Sequence, residues 1–202
     1  MGTIWGKTKA LALGALFIAA CSAERPVEIP KDAVVKLSDA FSSDFDLVDM
    51  NGAKAADENF RGKVMAVYFG FATCPDVCPM ALSRLSQALA LLSEKERGEI
   101  APVFITVDPE RDTPAALKAY LAFDERLIGL TGSREAVERA RASFKVYAKK
   151  APLPGSALGY TMDHSSLFYL VDREGRVRLA LHDSLTPDEL AAMLRRSIKG
   201  RY

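Results

Sequence analysis

The chain has 202 residues, with 27 basic and 26 acidic side chains and a formal net charge of +1. Charge this evenly spread supplies neither a basic stripe for nucleic acid nor a like-charge block that would keep the chain unfolded. Hydrophobic residues make up 49% of the chain, enough for one domain with its own core.

The first segment reads as a processing signal. Lys7 and Lys9 form a short positive region, and the apolar run from Ala10 to Ala20 is short for a stable membrane span. It ends in Ile18-Ala19-Ala20-Cys21, the small-residue pattern of a bacterial lipobox. Residues 1–20 are therefore expected to be a lipoprotein signal peptide, cleaved before a lipid-bearing Cys21. Residues 21–40, polar and carrying Pro26 and Pro30, are expected to be a tether, and residues 41–202 the folded domain. The predicted location is exported, on the periplasmic side of the membrane. That compartment permits disulfides.

The remaining elements follow in chain order. Alternation from Phe45 to Asp49, then Asn51-Gly52, predicts a short strand and a turn. The unbroken apolar run Val64–Gly70 predicts a central strand buried on both faces. A helix is expected from Pro79 to Ser93, with Leu82, Leu85, Leu89 and Leu92 at helical spacing. Val103–Val107 predicts a second buried strand. Thr113-Pro114 predicts a helix start running to about Phe123. Leu127–Leu130 reads as a strand, and Ser133 as the cap of a helix ending near Ser143. Lys149–Asp163, with Pro152, Pro154, Gly155 and Gly159, reads as a long loop. Leu167–Val171 and Val177–Leu181 form an expected hairpin, and Thr186-Pro187-Asp188-Glu189 opens a last helix. This order fits an α/β protein of thioredoxin-like plan, with a mixed central sheet flanked by helices.

The chemistry centres on Cys74-Pro75-Asp76-Val77-Cys78-Pro79, which joins the first buried strand to the helix after it. Two thiols beside a helix N-terminus suit thiol–disulfide exchange, soft-metal binding, or both. A disulfide across so small a loop adds little chain-entropy stabilisation, so a scaffold role is weak. The surrounding prolines and Asp76 suggest a turn that faces outward at one end of the sheet. His164 precedes the strand Leu167–Val171, in a loop that a thioredoxin-like plan returns beside the thiols. Two thiolates and an imidazole form a soft, three-coordinate set suited to copper, as Cu(I) or Cu(II). Zinc usually takes a fourth ligand.

Three runs in this order, Cys74-Pro75-Asp76-Val77-Cys78-Pro79, Val107-Asp108-Pro109-Glu110-Arg111-Asp112-Thr113-Pro114 and Asp163-His164-Ser165-Ser166, resemble the Sco/SenC family. The resemblance covers about Phe41 to Ile198. It implies a membrane-tethered, thioredoxin-like metallochaperone that helps assemble the copper centre of a cytochrome c oxidase. Its partners would be that copper-bearing subunit and other copper chaperones. Cys74, Cys78 and His164 match the family's copper ligands. Many members are anchored by a transmembrane helix, whereas this chain carries a lipobox. The alternative function is a thiol–disulfide oxidoreductase that keeps a partner's copper-ligand cysteines reduced, with Cys74 attacking and Cys78 resolving. A peroxidase of the peroxiredoxin kind lacks its threonine three residues before the reactive thiol, since Phe71 and Pro75 stand there.

Other residues carry lesser expectations. The acids of Asp108–Asp112 are expected to cap the next helix and pair with Arg111, with support of the site or partner recognition as the alternative. Asp76 could tune the thiols, and Asp163 could orient His164. Met50, Met80 and Met162 are expected to pack rather than ligate. His182 is expected at the surface.

Overall fold

The computed structural model describes residues 1–2 and 27–202. The expected signal peptide and Cys21 lie outside the described residues.

Three parallel strands organise the molecule: β4 (Val64–Gly70), β5 (Ile100–Thr106) and β6 (Ile128–Thr131). All seven residues of β4 and all seven of β5 are buried, as expected of strands covered on both faces. Antiparallel strands extend this centre in both directions. On one side stand β9 (Leu167–Val171), β10 (Val177–His182) and β1 (Val34–Lys36). On the other stand β2 (Asp46–Asp49) and β3 (Lys54–Ala56), so the sheet runs β1-β10-β9-β4-β5-β6-β2-β3. This is the expected mixed α/β architecture.

Alternation along β4 sends neighbouring side chains to opposite faces. Phe69 packs with Tyr169 and Phe144, ring centroids 5.2–6.1 Å apart, while Tyr68 meets Phe168 at 5.0 Å. Helices α1 (Val77–Ala90) and α5 (Pro187–Ile198) pack against each other, and α5 also against β4. The buried Leu82, Leu85 and Leu89 of α1 each contribute about 1.5–3 kcal/mol of burial free energy. Between α1 and β5 lies the short α2 (Glu94–Gly98), and α3 (Pro114–Tyr120) and α4 (Arg134–Ser143) follow β5 and β6. Thr113, Ser133 and Thr186 each accept a backbone N–H of the first turn, as the sequence predicts.

Several expectations are corrected. Residues 34–36, expected in the tether, form edge strand β1 against β10. The first long helix begins at Val77, so Cys78 lies inside its first turn and Pro79 at a position that needs no N–H bond. It stops at Ala90, and Ser93 caps α2 instead. The expected loop Lys149–Asp163 is mostly a hairpin of β7 (Ala148–Pro152) and β8 (Tyr160–His164), paired only with each other. Gly155 and Gly159, at φ +80° and +68°, make its connecting turn feasible. Among the described residues no helix is long and apolar enough to cross a membrane.

Candidate metal and thiol centre

The site lies where β4 and β5 end, the usual position for function in an open sheet with parallel strands. β4 delivers the chain at Gly70, and a short turn leads into α1. Cys74 closes that turn, its N–H donating to the Phe71 carbonyl at 3.2 Å. Cys78 sits one helical turn later, and its N–H points at Cys74 Sγ, 3.5 Å away. Both thiols are buried, Cys74 at 8% exposure and Cys78 at 0%. The expectation of outward-facing thiols is thus corrected. Pro75, Asp76 and Val77 face solvent, but Cys78 is fully covered and Cys74 nearly so, with His164 at the end of β8 over Cys78. Cys74 lines an open cleft with Phe71, Thr161, Met162 and His164.

Room for the inner thiol depends on Gly70. A Cβ there would lie 2.8 Å from Cys78 Sγ and 2.8 Å from the Phe104 ring. Any larger residue would push Cys78 out of its seat. Sequence reading treated Gly70 only as the end of a strand.

His164 is the last residue of β8 and arrives across the thiols. Its Nε2 is 3.4 Å from Cys78 Sγ, and the three ligand atoms of Cys74, Cys78 and His164 lie within 4.8 Å of one another. Nδ1 lies 2.9 Å from the Ser165 carbonyl oxygen, which can only accept. Nδ1 therefore carries the proton, and Nε2 offers its lone pair to the sulfurs. The ring stands edge-on to Phe71 at 5.7 Å and to Tyr68 at 6.3 Å. Asp163 is exposed, and Ser165 supplies the partner on Nδ1 expected of it.

The thiols do not titrate alike. A hydrogen bond from Cys78 holds Cys74 down at about 4 against the opposing effect of burial, with help from the N–H groups of Asp76 and Cys78. The same bond, with deeper burial, pushes Cys78 well above the ordinary thiol range. The pair thus holds one proton at neutral pH, on Cys78. Such a centre offers one thiolate at the cleft and a second that forms when a cation displaces the proton.

A supporting network surrounds the centre. Asp112, 1% exposed, accepts the N–H of Ala72 at 3.0 Å and the Thr106 hydroxyl at 2.6 Å, tying the thiol turn to the end of β5. Its burial raises its pKa. Asp108 pairs with Arg111, as expected, but Thr113 rather than an acid caps α3. Ser166 donates to Asp183 at 2.5 Å, so the Tyr68 hydroxyl donates its own proton to Ser166 at 2.7 Å. Asp112 thus fulfils the alternative expectation for the Asp108–Asp112 run, support of the site, whereas nothing in the sequence marks Tyr68 and Asp183 as parts of it. Met162 is buried at the cleft wall, Met80 is exposed on α1, and Met50 lies in the turn after β2. His182 is exposed and bonded to Ser184.

Comparison with known proteins agrees with this arrangement. The family model described as SCO1/SenC matches residues 35–199. An SCO2-like protein of Rickettsia conorii is 38% identical over 153 residues, 75% of this chain and 74% of its own. The copper-bound structure of Bradyrhizobium japonicum ScoI is 42% identical with a TM-score of 0.71, over 78% of this chain and 99% of that one. Copper-bound yeast Sco1 is 37% identical with a TM-score of 0.72, over 80% of this chain and 90% of that one. A match to the family model across most of the domain, joined to the shared fold, means that the chain belongs to the SCO1/SenC family.

Proposed function

We propose that the chain is a copper-binding metallochaperone that serves assembly of the copper centre of a respiratory cytochrome c oxidase. The observation that carries this reading is the convergence of Cys74, Cys78 and the lone pair of His164 Nε2 within 4.8 Å. Two sulfurs and one imidazole suit Cu(I), and imidazole with thiolate suits Cu(II). Solved relatives with this fold carry copper. Copper is cargo here: it enters at the cleft beside Cys74, the Cys78 proton leaves, and a partner with better-matched ligands removes the ion by ligand exchange. The partner is the copper-bearing oxidase subunit, with other copper chaperones as donors.

The test is copper stoichiometry and absorption of the wild type, Cys74→Ser, Cys78→Ser and His164→Ala. One copper per domain is expected. Either serine variant loses it. His164→Ala keeps Cu(I) but loses the thiolate-to-Cu(II) charge-transfer band. An unchanged band in His164→Ala would remove the histidine from the site.

A second reading is thiol–disulfide exchange, favoured by the burial order of the two sulfurs. Cys74 reaches the cleft, whereas Cys78 is fully covered. Cys74 thiolate would attack one sulfur of a partner disulfide, releasing the other as thiolate. Cys78 would then attack the Cys74 sulfur of the mixed disulfide and expel the partner's remaining thiolate, so the partner gains two electrons and the chain keeps a Cys74–Cys78 bond. This cycle does not need His164, so the same variant separates the readings. The lipobox ending at Cys21 supports an exported domain, held by lipid on the periplasmic face of a membrane.

A further inference from the structure

His164 reaches the thiols on an arm that does not belong to their sheet. β7 and β8 pair only with each other, whereas the thiol turn hangs from β4 of the eight-stranded sheet. The position of the imidazole thus depends on how the hairpin is fastened to the body. At the His164 end Arg141 of α4 donates to the Ala148 carbonyl at 2.6 Å, and at the other end Tyr160, the first residue of β8, is the fastening. The Tyr160 carbonyl accepts from Arg111 Nη1 at 3.1 Å, and its hydroxyl donates to Asp108 Oδ1 at 2.9 Å. The Arg111 guanidinium lies 3.9 Å from the Tyr160 ring centroid and 6.0 Å from that of Phe71, the ring that meets His164 edge-on. Arg111 Nε pairs with the other oxygen of Asp108, which is 1% exposed. Both oxygens of a buried carboxylate are therefore committed to one residue of the hairpin and the arginine stacked on it. A buried ion pair adds little net stability over apolar packing, but it imposes direction. On the outer strand, Lys150 reaches Glu110 at 2.5 Å and sits 4.3 Å from the same Tyr160 ring.

We infer that Asp108, Arg111 and Tyr160 form a latch that closes the β7–β8 hairpin and so positions His164 over the thiols. They are positioning residues: none of them is among the sulfur and imidazole groups that gather at the centre. With the latch open, the centre has two thiols; with it closed, it has a third ligand. The consequence for copper rests on the function proposed above, but the mechanical claim does not.

Two variants test it. Tyr160→Phe keeps the ring and removes the bond to Asp108. Arg111→Lys keeps the charge and loses the fork that holds Asp108 and the Tyr160 carbonyl together. Hydrogen exchange is measured on the copper-free protein, comparing amides of β8 with those of β4. Exchange in β8 is expected to rise about tenfold in Tyr160→Phe, the factor for one hydrogen bond of ordinary strength, and further in Arg111→Lys. Amides of β4 should follow only the change in global stability. If β8 and β4 shift alike in both variants, there is no latch. The Cu(II) charge-transfer band of the variants should weaken, in the direction of its loss in His164→Ala, while Cu(I) binding is kept. An undiminished band despite faster β8 exchange would overturn the positioning of His164. A wild type that takes no copper while β8 exchange rises as expected would uphold the latch and defeat the copper reading alone.

Discussion

Gly70 leaves a space that the Cys78 sulfur fills: a Cβ on Gly70 would stand 2.8 Å from that sulfur. The last residue of the central strand is thus shaped by a thiol eight positions later. In Gly70→Ala the new methyl group meets Cys78 on one side and Phe104 on the other. Both neighbours are fully buried, so neither can yield cheaply. A loss of about 1–3 kcal/mol is expected by denaturant titration. Copper uptake should fall as well, because Cys78 is displaced. A variant with unchanged stability and full copper content would show that the seat is looser than the geometry indicates.

The two thiols should react differently. Cys74 is held at about 4, so it is a thiolate across the neutral range, while Cys78 keeps its proton. Alkylation of the reduced, copper-free protein should modify Cys74 first, at a rate nearly constant from about pH 5.5 to about pH 8. An ordinary thiol would gain about tenfold per pH unit over most of that range. A steep pH profile for Cys74 would contradict the hydrogen bond that lowers it.

Asp112 ties the thiol turn to β5 through Ala72 and Thr106. Asp112→Ala leaves both donors without a partner and should cost about 1–3 kcal/mol. The pH dependence has a definite sign. Burial raises this carboxyl from its ordinary 3.8, so the folded state prefers it protonated. Its contribution is complete below that value and is lost as pH rises through the raised folded pKa. Relative to Asp112→Asn, the wild type should therefore lose stability as pH rises from about 4 toward neutral. Parallel stability curves for the two proteins would refute this.

Cys21 is expected to carry the lipid. Cys21→Ser should release a soluble exported domain or leave an uncleaved precursor. Mass spectrometry of the mature wild-type N-terminus checks this, and an unlipidated Cys21 would rule out the anchor.

What could be read from the chain alone was local or periodic. The apolar runs Val64–Gly70 and Val103–Val107 identify buried strands because burial on both faces demands unbroken hydrophobicity. The caps Thr113, Ser133 and Thr186 were legible because each serves N–H groups two or three residues away. The thiol pair and His164 stood out by residue type and by the family's three motifs. Tertiary structure decided the rest, because those features depend on partners far along the chain. Strand β1 exists only through β10, and residues 148–164 pair as a hairpin despite their prolines and glycines. The seat of the Cys78 sulfur needs the space that Gly70 leaves, and the Ala72 N–H finds its acceptor 40 residues away in Asp112. The tautomer of His164 follows from a carbonyl that only the folded backbone brings into reach. Sequence supplied the two thiols and the imidazole; long-range contacts set their protons, their burial and their spacing.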